Sequence, residues 1–377
     1  MPLVPAKCVP CGGLVEVDNE KKTAVCQSCS NSFIVQEAIN NFTTHYHNTT
    51  NISNSVVHIY EDKGKDFVIE AGRLKRYTGT AADVVIPDGV SIIGKDAFRY
   101  LEGLKSVVVP DGVLSIDEGA FFDCKNLVSI TLPDSITSIG ENAFFNCVSL
   151  VDIKLPHDIA SIEKGTFVGC ESLASITLPT GLVSIGEGAF LSCYNLSNIS
   201  IPNSVKRIDP SAFNGCRQLS DISIPNGVAL IRDAVFNNCE SLINICLPDS
   251  VTSIEDFAFC SCKKLSNLTI PKGVVSIGKN AFNMCHQISN VEIPHGVRVI
   301  GAAAFADNKN LQSITIPDSV SSIGEWAFAF CPQLKIVSAS PAIILKACVA
   351  RAFEETPYIP PSTVSANPKR KSSWRFW

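Results

Sequence analysis

The chain has 377 residues and a net charge of −5, enough length for one large core or for a core drawn out along an axis. The acidic balance argues against a generic nucleic-acid binder, which needs a basic face. No run of about 18 apolar residues is present to span a bilayer.

The chain begins with MPLVPAKCVPCGG, which contains no apolar run and therefore does not have the pattern of a signal peptide. We expect a cytoplasmic protein on this basis. A cell-surface location reached by a non-classical route is the alternative.

Two Cys-x-x-Cys pairs lie in residues 1–35, Cys8 with Cys11 and, after fourteen residues, Cys26 with Cys29. Tetrahedral Zn²⁺ takes four thiolates, and each pair offers two of them. We therefore predict a structural Zn²⁺ held by these four cysteines, with a redox-active pair as the alternative. All four positions are filled by protein, which leaves no open position for catalysis.

The segment between the pairs, LVEVDNEKKTAV, is predicted to form two strands joined at Asp18–Asn19. Together with the cysteines it looks like a zinc ribbon over residues 1–35, a resemblance that implies contact with nucleic acid or protein. Glu16, Asp18 and Glu20 offset the basic residues Lys7, Lys21 and Lys22, so no basic patch results. We therefore favour protein contact or a capping role over nucleic acid. Residues 36–64, rich in Asn and Thr, are predicted to be a linker.

A period of 23 residues dominates the region from 65 to 340. Its prolines and phenylalanines keep this spacing without a break, from Pro87 to Pro317 and from Phe98 to Phe328. A strict period of 20 to 30 residues indicates one supersecondary unit copied and stacked. We predict about eleven coils that bury a continuous core, with residues 67–86 as a strand-rich first cap.

One repeat, PDSITSIGENAFFNCVSLVDIKL from Pro133 to Leu155, shows the expected layout. Apolar residues from Ile139 to Cys147 recur at helical spacing, which predicts a short helical or 3₁₀ return. Ile153 and Leu155 are two apart, which predicts a strand in a parallel sheet along one side of the solenoid. The cysteines at the Cys147 position should form a buried, unpaired column.

The period reads L-x-x-I-x-I/L-P-x-x-V-x-x-I-G-x-x-A-F-x-x-C, as in LVSITLPDSITSIGENAFFNC from Leu127 to Cys147. This pattern resembles the BspA-like class of leucine-rich repeats. The resemblance implies an α/β repeat solenoid, a curved leucine-rich-repeat arc with a parallel sheet on one face, and a binding or scaffolding role. Many relatives are surface or secreted adhesin-like proteins.

Two rows of outward-facing positions follow the predicted strands, and in leucine-rich repeats this face is where partners usually dock. The rows are small and polar and have no aromatic anchors, so the alternative is a solvated face that keeps coils in register. The candidate partner-binding residues are Ser129, Thr131, Asp152, Lys154, Ser175, Thr177, Asn198, Ser200, Asp221, Ser223, Asn244, Asn267, Thr269, Asn290 and Glu292.

Residues 341–377 are predicted to hold the last cap and a basic, aromatic tail, NPKRKSSWRFW. The tail is either a disordered solubilising segment or a linear motif that docks Trp374, Phe376 and Trp377 on a partner or a membrane surface.

Taken together, these features predict a non-enzymatic protein–protein interaction scaffold with no small-molecule substrate. No Ser/His/Asp or Cys/His arrangement can be assembled from the scattered histidines. An adhesin-like surface protein, or a nucleic-acid-associated regulator acting through the ribbon, are the alternatives.

Overall fold

A computed structural model describes residues 66–361 in full and, before them, the backbone of four short strands. The chain divides into two compact units, Met1–Lys63 and Gly64–Trp377. The predicted linker, residues 36–64, and the tail beyond residue 361 lie outside the described residues.

The described residues of the first unit form two antiparallel strand pairs. Strand β1 (Leu3–Lys7) pairs with β2 (Leu14–Asp18), and β3 (Thr23–Val25) pairs with β4 (Ser32–Ile34). Strands β2 and β3 occupy the segment that was predicted to contain two strands.

The second unit is a solenoid whose coils contribute to two parallel ladders. Ladder A, which the repeat pattern did not predict, takes a two-residue strand from each coil. Each strand ends in an isoleucine that is buried, except Ile323 of the last strand, which is partly buried. The strands pair in parallel with partners 23 residues away. They are β8 (Ile92–Ile93), β10 (Ser115–Ile116), β12 (Ser138–Ile139), β13 (Ser161–Ile162), β14 (Ser184–Ile185), β15 (Arg207–Ile208), β17 (Leu230–Ile231), β19 (Ser253–Ile254), β20 (Ser276–Ile277), β22 (Val299–Ile300) and β24 (Ser322–Ile323).

Ladder B is the parallel sheet that the repeat predicted. A central buried residue alternates with outward side chains, as period-two geometry requires, and isolated bridges such as Lys154 to Thr177 continue the ladder where no full strand forms. Its strands are β7 (Asp83–Val85), β9 (Ser106–Val108), β11 (Ser129–Thr131), β16 (Asp221–Ser223), β18 (Asn244–Cys246), β21 (Asn290–Glu292), β23 (Ser313–Thr315) and β25 (Ile336–Ser338).

The return segment between the ladders is a series of tight turns and not the short helical or 3₁₀ segment that was predicted. Two residues per turn are left-handed, for example Asn142 at φ 54° and Asn146 at φ 57°. Along each turn, every second backbone amide donates to a carbonyl of the next coil, as Phe144 N does to Thr166 O at 2.9 Å. The amides at the intervening positions donate to the carbonyl three residues earlier in the same coil. These inter-coil bonds replace the i to i−4 bonds of a helix.

Phenylalanines from every coil form a continuous column in the core. Neighbouring rings from Phe98 to Phe328 lie 4.9 to 5.8 Å apart and are nearly parallel. Each ring is fully buried. One aromatic ring per coil thus anchors the 23-residue period, in a stacked geometry that aromatic pairs favour.

Both ends of the solenoid are capped. At the start, β5 (Phe67–Glu70) and β6 (Arg73–Tyr77) form an antiparallel hairpin, and β6 then pairs in parallel with β8. At the other end lies α1 (Pro341–Val349), the single helix among residues 66–361. Tyr77 and Phe353 extend the aromatic column into the two caps, with ring centroids 5.3 and 5.6 Å from Phe98 and Phe328.

Candidate interaction surfaces

The predicted partner-binding residues lie together on the outer face of ladder B, which we call the strand face. All fifteen side chains are exposed. The register places each residue beside its counterpart in the next coil, as Ser129 is beside Ser106 and Asn290 is beside Ser313. The two rows therefore form one ordered surface along the solenoid.

Side-chain hydrogen bonds link neighbouring coils across the strand face. Asn267 Nδ2 donates to Asn244 Oδ1 at 2.7 Å, and Asn244 Nδ2 donates to Asp221 Oδ1 at 2.8 Å. The bond from Asn244, helped by one from Ser220, lowers the pKa of Asp221. The middle of the strand face thus carries a polar ladder, as expected for side chains that hold coils in register.

The same part of the strand face forms a shallow depression of about 520 Å³. Its floor contains buried isoleucines such as Ile222 and Ile245, and its walls are polar. Cys246 lies in it with an exposed thiol. The outward lining residues are Ser200, Asp221, Ser223, Asn244, Cys246, Asn267 and Thr269.

A second surface, which the sequence reasoning missed, lies on the turns of the first coils. We call Arg99, Tyr100, Phe122 and Phe145 the aromatic patch. The Arg99 guanidinium carbon lies 4.6 Å from the centroids of both the Tyr100 and the Phe122 ring, and Phe122 stacks on Phe145 at 4.5 Å. Tyr100 is 56% exposed.

The arginine of the patch is held in place by polar contacts as well as by the rings. Arg99 Nη1 donates to Asp96 Oδ1 at 3.1 Å, and Nη2 donates to the Tyr100 hydroxyl at 2.9 Å. Exposed aromatic and arginine side chains of this kind are enriched at interface hot spots. The sequence signal was the doublet Phe121–Phe122, repeated as Phe144–Phe145, because only the first ring of each doublet is needed for the core column.

The predicted cysteine column is buried and its thiols are unpaired. Each sulfur donates a hydrogen bond to the phenylalanine carbonyl of the preceding coil, for example Cys193 Sγ to Phe167 O at 3.1 Å. Burial raises the pKa of these thiols, to about 12 for Cys124 and Cys331. They are therefore neutral donors rather than thiolate nucleophiles. The column consists of Cys124, Cys147, Cys170, Cys193, Cys216, Cys239, Cys262, Cys285 and Cys331.

The predicted zinc ligands Cys8, Cys11, Cys26 and Cys29 lie outside the described residues. In sequence the first pair falls between β1 and β2, and the second falls between β3 and β4. Within residues 66–361, no group of three or more His, Cys, Asp or Glu side chains is placed to hold a metal ion. None of the helices in the described part of the chain is long and apolar enough to cross a membrane.

Stacked coils with parallel ladders, a buried aromatic column and an exposed strand face define a leucine-rich-repeat solenoid. The family model described as BspA type leucine rich repeat region matches residues 91–220, 138–262 and 207–335. The chain belongs to this family of leucine-rich-repeat proteins. No curated protein sequence is significantly similar to it.

Several solved structures resemble the chain. A leucine-rich repeat protein from Bacteroides ovatus is 27% identical, with a TM-score of 0.57, over 73% of this chain and 71% of that one. A leucine rich cell surface protein from Faecalibacterium prausnitzii is 28% identical, with a TM-score of 0.47, over 74% and 94%. The pneumococcal vaccine antigen PcpA is 19% identical, with a TM-score of 0.52, over 74% and 80%, which shows a shared fold.

Proposed function

We propose that the chain is a non-enzymatic scaffold that binds partner proteins along the strand face. The observation that carries the proposal is the continuous exposed surface of ladder B, with its depression around Ser223 and Asn244. The parallel ladders support it because they hold this surface on rigid backbone, which lowers the entropy lost on binding. The aromatic patch offers the same scaffold a second contact surface.

A pair of double variants tests the use of the strand face. Ser200→Arg with Ser223→Arg places two bulky charges at the depression, whereas Ser138→Arg with Ser322→Arg places them on exposed positions of ladder A. Quantitative affinity capture from native lysate should identify proteins retained by the parent and the ladder A variant but lost by the strand-face variant. Equal capture by all three chains would contradict docking at this face.

We further propose that Cys8, Cys11, Cys26 and Cys29 hold one structural Zn²⁺ in a ribbon built on the two strand pairs. The donor set supports this, because four cysteines in two Cys-x-x-Cys pairs match the thiolate ligands that tetrahedral zinc takes. When bound, the ion would cross-link a unit too small to fold well on its own core.

Metal analysis of the purified full chain tests the zinc proposal. We expect one zinc per chain, lost in a Cys26→Ser variant and retained in Cys246→Ser, which removes an exposed thiol from the strand face instead. Zinc-free protein with a folded N-terminal unit would contradict the proposal.

We also propose a cytoplasmic location. The unpaired cysteine column supports it, because a reducing compartment keeps neighbouring thiols from mispairing during folding. Fractionation of native cells, with thiol labelling of the recovered protein, provides the test. Recovery from the cell surface with paired cysteines would favour an adhesin-like role instead.

A further inference from the structure

The outer face of α1 is apolar although solvent reaches it. The helix buries Ile343, Ile344 and Ala347 against the solenoid. On its opposite side, Ala342, Leu345 and Val349 recur at i, i+3 and i+7, and the latter two are 46% and 72% exposed. We call these three residues the outer cap face. A helix that covers the end of a solenoid normally turns polar side chains outward.

The charged group of α1 does not cover the exposed apolar side chains of the outer cap face. The only charged residue of α1, Lys346, directs its ammonium away to the Val320 carbonyl at 3.1 Å. Among the described residues, the three most exposed large apolar side chains are Ile359, Val349 and Ile336. Val349 and Ile359 belong to the last cap, and Ile336 lies in β25, the last strand of ladder B. This concentration of apolar surface at one end indicates that another segment covers it.

The chain leaves the solenoid beside this face. The Tyr358 ring packs on Phe353 at 4.9 Å, and Ala352 N donates to Ala347 O at 2.8 Å. Burial, with a smaller contribution from the nearby Cys348 of α1, raises the pKa of Tyr358. Residues 359–361 therefore start the following segment from a position next to the helix.

We propose that the aromatic segment 374–377 docks on the outer cap face of its own chain. This segment, Trp374-Arg375-Phe376-Trp377, contains three large aromatic rings. Residues 362–373 join it to the cap and are mainly polar or basic, with Val364 as their one large apolar side chain. The segment thus supplies the apolar side chains that the outer cap face needs.

Reach and concentration favour this occupant over a second copy of the chain. For a random coil, a twelve-residue stretch has a root-mean-square span of about 19 Å, from a coefficient on the order of 5–6 Å times the square root of its length. The nine-residue helix is about 14 Å long. The tethered aromatics therefore sample the face at an effective concentration on the order of millimolar, far above that of a second chain in solution.

Tryptophan fluorescence of the full chain tests the proposal. The chain has three tryptophans, so Trp326→Phe leaves only Trp374 and Trp377 as reporters. Phe257 occupies the same left-handed turn position as Trp326 in another coil, which makes this substitution compatible with the fold. We expect blue-shifted emission that is protected from acrylamide. Adding Leu345→Arg and Val349→Arg should abolish the blue shift and the protection from acrylamide. Adding Val128→Arg and Val151→Arg, at exposed positions elsewhere on the solenoid, should leave the blue shift and the protection unchanged.

Other results would overturn the proposal. Water-exposed emission in the Trp326→Phe chain would show that the segment does not dock. Protection that grows with protein concentration would assign the face to a second copy, and protection seen only with anionic lipid vesicles would assign the segment to a membrane surface. A second measurement leaves α1 unchanged and alters only the aromatic segment. Trp374→Ala with Trp377→Ala should uncover the outer cap face and increase its binding of a hydrophobic dye. Unchanged dye binding would contradict docking.

Discussion

The cysteine column stabilises the solenoid through hydrogen bonds from its thiols as well as through side-chain packing. Most phenylalanine carbonyls of the column accept a hydrogen bond from the backbone amide three residues later, and the thiol of the next coil is a second donor. Phe213 O, for example, accepts from Cys216 N at 3.1 Å and from Cys239 Sγ at 3.2 Å. The second bond gives the buried thiol an acceptor, as buried polar groups require. This role explains why Asn308 can replace cysteine once, because its Nδ2 donates to Phe282 O at 3.0 Å.

The asparagine substitute is imperfect, since Asn308 Oδ1 is buried without a hydrogen-bond partner in the described structure. We expect Asn308→Cys to stabilise the protein by about 1 kcal/mol, because it removes this acceptor and restores the thiol donor. Urea unfolding should show a higher midpoint. Asn310→Cys, which changes an exposed amide two residues away, serves as the control and should shift the midpoint little.

Alkaline pH should destabilise the fold through the same thiols. Burial raises the pKa of Cys124 to about 12, whereas a free thiol titrates at about 8.5. Between these values the folded state holds a proton that the unfolded state has lost, so stability is full below about pH 8.5 and falls as pH rises. Raising the pH from 8 to 10 should cost about 2 kcal/mol at Cys124.

Comparing Cys124→Ser with the parent isolates this effect, because serine does not titrate in this range. The variant should lose less free energy of unfolding between pH 8 and 10 than the parent does. Identical pH profiles would show that Cys124 contributes nothing to the alkaline loss.

At the level of the structural element, the return turns between the two ladders contain residues with a strained, left-handed backbone. Left-handed backbone costs a residue with a Cβ roughly 1 kcal/mol, and only glycine adopts it freely. Yet Ala303, Phe257 and Met284 all occupy left-handed positions at φ 52°, 57° and 60°. The alternating inter-coil hydrogen bonds hold these residues there, as Ala303 N bonds to Glu325 O at 2.9 Å.

Two neighbouring alanines allow a matched test of this strain. Ala303→Gly relieves a left-handed alanine, whereas Ala302→Gly only adds flexibility to the unfolded chain at a position without positive φ. We expect the first variant to be more stable than the second by about 1 kcal/mol in thermal or urea unfolding. Equal stability of the two variants would mean that the turn imposes no strain at residue 303.

At the scale of the whole solenoid, each coil contacts mainly its two neighbours, so stability is close to a sum over coils and their interfaces. The stacked phenylalanine rings show this regularity, since the geometry between Phe144 and Phe167 matches that between Phe190 and Phe213 within 0.1 Å. Removal of one complete period should therefore leave a shorter, correctly stacked solenoid.

Deletion of residues 202–224 removes one period and joins Ile201 to Pro225, which preserves the repeat pattern. We expect this protein to fold with a similar circular dichroism spectrum and a lower unfolding midpoint. Deletion of residues 202–213 removes about half a period and should prevent stacking downstream. Similar loss of structure in both proteins would argue against independent coils.

The repeat period was sufficient to predict the solenoid, ladder B, the exposed rows and the buried columns. These features follow from sequence alone because a position that recurs every 23 residues must have the same environment in every coil. The repeat alone thus assigns Phe144 and Cys147 to the core, and Ser129 and Thr131 to the surface.

Only the tertiary structure decided how each coil turns and which polar atoms meet. The spacing of Ile139, Ala143 and Phe144 suits a helix or a tight turn equally, and the choice depends on hydrogen bonds to residues 22 positions away. The second ladder, the thiol-to-carbonyl bonds and the aromatic patch likewise join different coils. Such contacts depend on the stacking of whole coils, which the pattern within one repeat does not specify.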